Sequence, residues 1–210
     1  MRYDYKDIFK FNLLKHCQTT GKYDLPIIRR VDCIPDAVLS FNYAKSCVMP
    51  YYYYIHFFID DYQFERIWNN TEKYVSLLKR FKGIIAPDFS TYSNMPKAQQ
   101  IFQVYKSRLI AAYCQHLGMN VIPTVSWSDL DSLEWSLEGL PTHSTIAIST
   151  NGCINKDTKE TFIQCYKKVI EKLKPTKIIV IGRMIEEIKS DITINFQGRL
   201  NILQQLKLEV

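Results

Sequence analysis

The order of local signals along the chain predicts an α/β fold in which parallel strands alternate with helices. Three observations carry this expectation. Short runs rich in β-branched and aromatic residues recur from Ala37 to Phe196. Most are followed by a polar turn and then by a stretch with apolar residues at helical spacing. Glycine or proline then stops the helix before the next β-rich run. Strands separated by helices pair in parallel through right-handed crossovers.

The elements follow in order. Ala37 to Phe41 is the first expected strand, and Tyr53 to Ile59 (YYIHFFI) the second. A helical stretch follows, with a second start near Asn70-Thr71 and a stop at Gly83. Gly83 to Ala86 is the next strand, ending in Pro87-Asp88-Phe89-Ser90. Asn94 is a helix-capping residue and Pro96 fits a first turn. Ile101, Tyr105, Leu109 and Ala112 then mark the apolar face of a helix over 95–117, which Gly118 ends. Val121 to Trp127 reads as a strand with an irregularity at Pro123, because proline cannot donate to a ladder. A short helix over 130–137 precedes the strand Thr145 to Ser149 and the turn Asn151-Gly152. Lys159 to Leu173 is helical, and Pro175 forbids its continuation. Lys177 to Ile181 (KIIVI) is the cleanest buried strand, followed by Gly182-Arg183, with a last strand at Ile192 to Phe196.

Two architectures fit this rhythm. One is a compact or partial TIM-like barrel; the other is an open doubly wound sheet. A full eight-fold barrel typically needs ~250 residues, and this chain has 210. Residues 1–210 are expected to form a single α/β domain, with 1–35 an N-terminal helical appendage.

Composition narrows the function classes. Forty-seven per cent hydrophobic and 23 % charged residues are ordinary globular values, which argues against a mainly disordered chain. The net charge of +6 favours anionic partners only weakly, since the lysines are scattered along the sequence. Cys17, Cys33, Cys47, Cys114, Cys153 and Cys165 form no CxxC pair and have no histidine at zinc-site spacing. A reduced cytoplasmic setting is therefore expected. No apolar stretch reaches the ~20 residues that a membrane-spanning helix needs, so no membrane role is expected. No Walker A loop or GxGxxG fingerprint is present.

A set of residues also resembles a known group of proteins. It comprises Pro87-Asp88-Phe89-Ser90, Tyr92, Met95-Pro96, Tyr105, Ser107-Arg108, Tyr113, Gly118, Ile122-Pro123-Thr124-Val125 and Trp127. The likeness extends upstream through His56-Phe57-Phe58-Ile59-Asp60-Asp61. Downstream it reaches Gly139-Leu140-Pro141, Ser144 and Ala147-Ile148-Ser149-Thr150. These residues, about half of the chain, resemble an uncharacterised family of bacterial, phage and mobile-element proteins. The resemblance implies a phage or mobile-element context, hence a host cytoplasm, and supplies no catalytic residues.

In parallel α/β folds, functional groups gather just past the carboxyl ends of strands. That rule selects Asp61 and Asp88 as a carboxylate pair for general acid–base chemistry or for holding a divalent cation. Ser90, Trp127, Asn151 and Arg183 are the expected binding residues around them, with Trp127, Tyr62 and Tyr92 available for stacking. The alternative is that each aspartate caps its own turn. Ser90 lacks a nucleophile elbow and reads as a turn hydroxyl. His56, inside a strand, reads as a hydrogen-bonded core residue. Arg108 lies far along its helix and is expected to pair with a carboxylate at the opposite face. Two functions follow: a hydrolase-like enzyme on a small anionic or nucleotide-like substrate, or a non-catalytic protein that engages nucleic acid, a nucleotide signal or a host protein.

Overall fold

The computed structural model describes residues 7–152 and 158–196. Helix α1 (Phe11–Leu14) and the antiparallel pair β1 (Thr19–Thr20) and β2 (Leu25–Pro26) open the chain. The strand–helix repeat follows. Strands β3 (Ala37–Ser40) and β4 (Tyr53–His56) pair in parallel, with Ser40 opposite His56. The short helices α2 (Asp61–Phe64) and α3 (Arg66–Asn69) and the longer α4 (Thr71–Leu78) lead to β5 (Gly83–Ile85). Helix α5 (Lys97–His116) leads to β6 (Val121–Ile122), and α6 (Leu133–Ser136) to β7 (Thr145–Ser149). Helix α7 (Lys159–Leu173) leads to β8 (Lys177–Ile181), and a 3-10 turn to β9 (Thr193–Phe196).

All pairings from β3 to β9 are parallel, and each strand pairs with its successor in sequence. The seam between β6 and β7 is carried by a parallel bridge from Thr124 to Ala147, with Ala147 donating to Pro123 and Val125 donating to Ala147. No ladder joins β3 to β9 among the described residues, so the barrel does not close and the sheet is open, as in the second expected architecture.

Side-chain alternation along strands sorts the two faces. On one face Leu39, Ile55, Ile84 and Val121 meet Tyr74, Val75 and Leu78 of α4 and Ile110, Ala111 and Cys114 of α5. Ile146, Ile148, Ile178 and Val180 continue this face against α7. On the other, Val38, Tyr54, Ile85, Ile122, Ala147 and Ile179 form a single cluster that reaches Ile194 and Phe196. First and last strands share that cluster, so the sheet is strongly curved.

Several expectations need correction in detail. The strand expected over 121–127 forms a ladder only at Val121–Ile122, because Pro123 has no N–H to continue it. The long helix begins after Pro96 rather than at Asn94. Its sheet-facing row is Ile110, Ala111 and Cys114; Ile101 and Tyr105 instead pack beside Leu25, Val104 and Trp135. The helix is wedged between the sheet and β2, so more than one of its faces is covered. Gly83 does not stop a helix. It lies in β5, where a Cβ would sit 2.2 Å from the Tyr54 ring, so the close approach of Tyr54 requires glycine. Residues 7–36 hold one short helix and one antiparallel pair, and are tied to the sheet where Thr145 donates to Val31.

Candidate functional site

Every strand from β3 to β9 points the same way, so the segments that follow them emerge at one edge of the sheet. Asp61 stands in the first turn of α2, just beyond β4. Its carboxylate accepts the Ser90 backbone N–H at 3.1 and 3.2 Å, the Ser90 hydroxyl at 2.8 Å and Gln103 Nε2 at 3.4 Å. Ser90 follows β5, and Gln103 belongs to α5. Asp61 therefore ties three elements together and fixes the loop that carries Asp88. Ser90 serves it as a turn donor.

Asp88 is in a different state. The residue retains some surface, but its Oδ1 is sealed from solvent and has no hydrogen-bond partner. Burial pushes its pKa up to about 7, and the charge of Asp61 acts in the same direction. Ser126 and the Arg108 cation oppose the shift without cancelling it. Such a carboxyl exchanges its proton near neutrality, where acid–base groups are most useful.

Arg108 sits behind this edge and is only 2 % exposed. The expected partner at the opposite face is corrected: the guanidinium donates to three carbonyls, Thr124 at 3.1 Å, Ser136 at 2.6 Å and Glu138 at 3.3 Å. Burial lowers its pKa to about 9 and Asp88 pulls the other way, so it remains a cation at neutral pH. It holds the segments after β6 and around α6 in place and lends positive potential to Asp88.

The other expected residues divide into two groups. Trp127 is half-buried and packs on Phe162 with ring centroids 5.1 Å apart. Tyr62 and Tyr92 are 80 % and 57 % exposed and free to present a ring. Asn151 and Arg183 lie beyond β7 and β8. Gly182 lets these two loops approach: a Cβ there would meet Thr150 Oγ1 at 2.6 Å and Asn151 Oδ1 at 2.7 Å. Thr150 Oγ1 donates to the Arg183 carbonyl at 2.8 Å, and the Arg183 side chain is exposed. Asp61, Ser90 and Asp88 thus form one group, and Asn151 with Arg183 another, along the same edge.

Sequence reasoning passed over Ser126 and Gln103. Ser126 lies past the ladder of β6 in a segment without regular structure, where strand alternation gives no guide. Gln103 carries no signal either. His56 is 5 % exposed, as expected of a core residue, but its Nδ1 has no hydrogen-bond partner and burial lowers its pKa to about 4. Among the described residues no group of three or more His, Cys, Asp or Glu converges as a metal-binding cluster. None of their helices is long and apolar enough to cross a membrane.

An unclosed, sequentially ordered parallel sheet with an acidic carboxyl edge defines an α/β protein whose class alone does not disclose a reaction. The chain belongs to the family described as a domain of unknown function, DUF4417, which matches residues 17–198. It is 32 % identical over 176 residues to the Gene 1 protein of Mycobacterium phage L5, covering 82 % of this chain and 77 % of that protein. It is 27 % identical over 180 residues to the Gene 1 protein of Mycobacterium phage D29, covering 82 % of this chain and 65 % of that one, a little under two thirds of its length. The family expected from the motif residues is thus uncharacterised and includes phage proteins. No solved structure matches the chain.

Proposed function

We propose that the carboxyl edge binds a small anionic or nucleotide-like substrate and moves a proton on it in a hydrolase-like reaction. Asp88 is the general acid–base group, and Asp61 holds its loop and biases its proton. Ser90, Trp127, Asn151 and Arg183 supply substrate contacts, with Arg183 suited to a phosphate or carboxylate. A divalent cation, if bound, would be held through oxygen by Asp61 and Asp88 and would offset the charge of an anionic substrate. The phage affiliation of the relatives favours action in a host cytoplasm. One observation carries the reading: Asp88 presents a sealed, unpartnered oxygen and a pKa of about 7 beside a second carboxylate.

A second reading is favoured by a different observation. The Asp61 oxygens are already engaged by Ser90 and Gln103, which leaves them less available for chemistry. On that reading the protein is a non-catalytic binder of nucleic acid, a nucleotide signal or a host protein. The test is a panel of phosphate esters and nucleotides, with and without Mg²⁺ or Mn²⁺, read as turnover and as thermal stabilisation. Turnover that Asp88→Asn abolishes without lowering Tm supports the enzyme. Stabilisation without turnover supports the binder. Turnover that survives Asp88→Asn removes Asp88 from the chemistry.

A further inference from the structure

The amino edge of the sheet, opposite the candidate site, carries a different electrostatic character. Parallel strands joined by helices send every connecting helix back with its carboxyl end at this edge. Lys79 and Arg80 follow the last turn of α4, His116 ends α5, and Lys172 and Lys174 end α7. Cations are favoured there because a helix carboxyl terminus is partially negative. Arg29 reaches the same edge from the segment before β3, and its guanidinium caps the carboxyl end of α5.

Hydrogen bonds and ring contacts join these positions into one arc. Asn120 Nδ2 donates to the Lys82 carbonyl at 3.2 Å, linking the starts of β5 and β6 beside Lys79 and Arg80. Arg29 donates to the Gln115 carbonyl at 2.6 Å, and the Gln115 amide accepts from and donates to the Arg29 backbone. His116 stacks on His16 at 4.4 Å, which brings Lys15 to the arc. The next residues, around Val31, bond to Ser144 and Thr145 at the start of β7, and His143 donates to the Leu173 carbonyl beside Lys174. An open groove of about 620 Å³ lies within the arc, with Arg29, Arg30, Thr20 and Thr142 on its walls.

Charge accounting shows what is left over. Asp32 pairs with Arg30, Asp36 with Lys82 and Glu171 with Lys168; Glu138, on the groove wall, accepts the backbone N–H groups of Lys22 and Tyr23, and Asp191, just before β9, is a carboxylate at this edge that joins no ion pair among the described residues. Lys15, Arg29, Lys79, Arg80, Lys172 and Lys174 have no carboxylate within ion-pairing distance among the described residues. Positive field is felt locally: beyond desolvation, His116 and Lys15 hold the His16 pKa below its ordinary value.

We propose that this amino edge is a binding face for the phosphodiester backbone of a nucleic acid, spaced along the arc from Lys79 to Lys174. The inference goes beyond the acid–base reading of the carboxyl edge and does not depend on it. A rim of cations without carboxylate partners, beside a groove walled by Arg29 and Arg30, suits contacts to phosphates rather than to base edges.

The test is fluorescence anisotropy with labelled mixed-sequence DNA of about 30 nucleotides, single-stranded and duplex, over a salt series. Each neutralised phosphate contributes about −0.9 to the log–log salt slope on duplex, so engagement of most of the six cations gives a slope approaching −5. The triple variant R29Q/K172Q/K174Q should bring the slope down by about 3 and weaken binding at least about tenfold near 0.1 M salt. Lys97→Gln, on α5 near the other edge, should leave both unchanged. The circular dichroism spectrum and Tm of the triple variant establish that it folds. Absence of binding at about 50 mM salt, where such contacts are strong, overturns the proposal. So does a wild-type slope in a folded triple variant, or an equal loss in Lys97→Gln. Turnover dependent on Asp88 is read separately, so either proposal fails without the other.

Discussion

Ser90 donates twice to Asp61, once from its backbone N–H and once from its hydroxyl at 2.8 Å, across 29 residues of sequence. The pair locks the loop after β5 to the first turn after β4. Asp61→Ala leaves the half-buried Ser90 N–H without its acceptor. The expected loss is about 1–3 kcal/mol, the cost of an unsatisfied buried donor. Ser90→Ala keeps the backbone bond and should cost less. Urea denaturation of both variants checks the order; equal and negligible losses would show that the clasp does not hold the loop.

The state of Asp88 gives stability a pH dependence. Its folded pKa of about 7 lies above the ordinary aspartate value of ~4. The folded protein therefore binds this proton more tightly than the unfolded chain. The resulting stability is complete below the unfolded pKa and is lost as pH rises through about 7. Asp88→Asn, which cannot ionise, should gain on the wild type between pH 5 and 8 by roughly 1–4 kcal/mol, at ~1.4 kcal/mol per pKa unit. Denaturant melts across that range read the difference, and parallel curves would mean that Asp88 ionises normally.

Arg108 satisfies the carbonyls of Thr124, Ser136 and Glu138 from one buried guanidinium. Arg108→Met strands three acceptors and removes the cation that opposes protonation of Asp88. A loss of about 3–5 kcal/mol is expected, the range for breaking a buried charged network. Arg108→Lys should recover only part of it, because an ammonium cannot reproduce the fork. Full recovery by lysine in a denaturant melt would assign Arg108 a purely electrostatic role.

Much of the fold was legible because local chemistry dictates it. Thr145–Ser149 and Lys177–Ile181 were readable to the residue, since a continuous run of β-branched side chains suits a strand buried on both faces. The Lys159–Leu173 helix was equally plain from its apolar stripe and from Pro175. The long helix was harder. Periodicity finds its most apolar row, but a helix covered on several sides has no unique inward row, and the row that meets the sheet contains Ala111 and Cys114. The carboxyl edge was readable as a location, because parallel strands share a direction. The clasp of Asp61 by Ser90 was not, because it depends on how two loops settle. Arg108 shows the same limit: its depth along the helix fixes its height, whereas its direction is set by carbonyls that come from distant segments.

The strand order has a consequence for how the chain reaches its native state. Each strand from β4 to β9 finds its partner in the strand made just before it, so each new pairing closes one connection only. Loop-closure entropy grows with the separation of the paired segments, and here that separation stays short at every step of the main sheet. Growth from the amino terminus, as on the ribosome, can add one strand at a time to an existing edge. The exceptions are the bonds of the early segment, such as Ile28 to Gly139 and Val31 to Thr145, whose partners lie more than a hundred residues apart in sequence. Those stitches have to wait until the chain around α6 and β7 has been made, and they tie the early part of the chain to the late one.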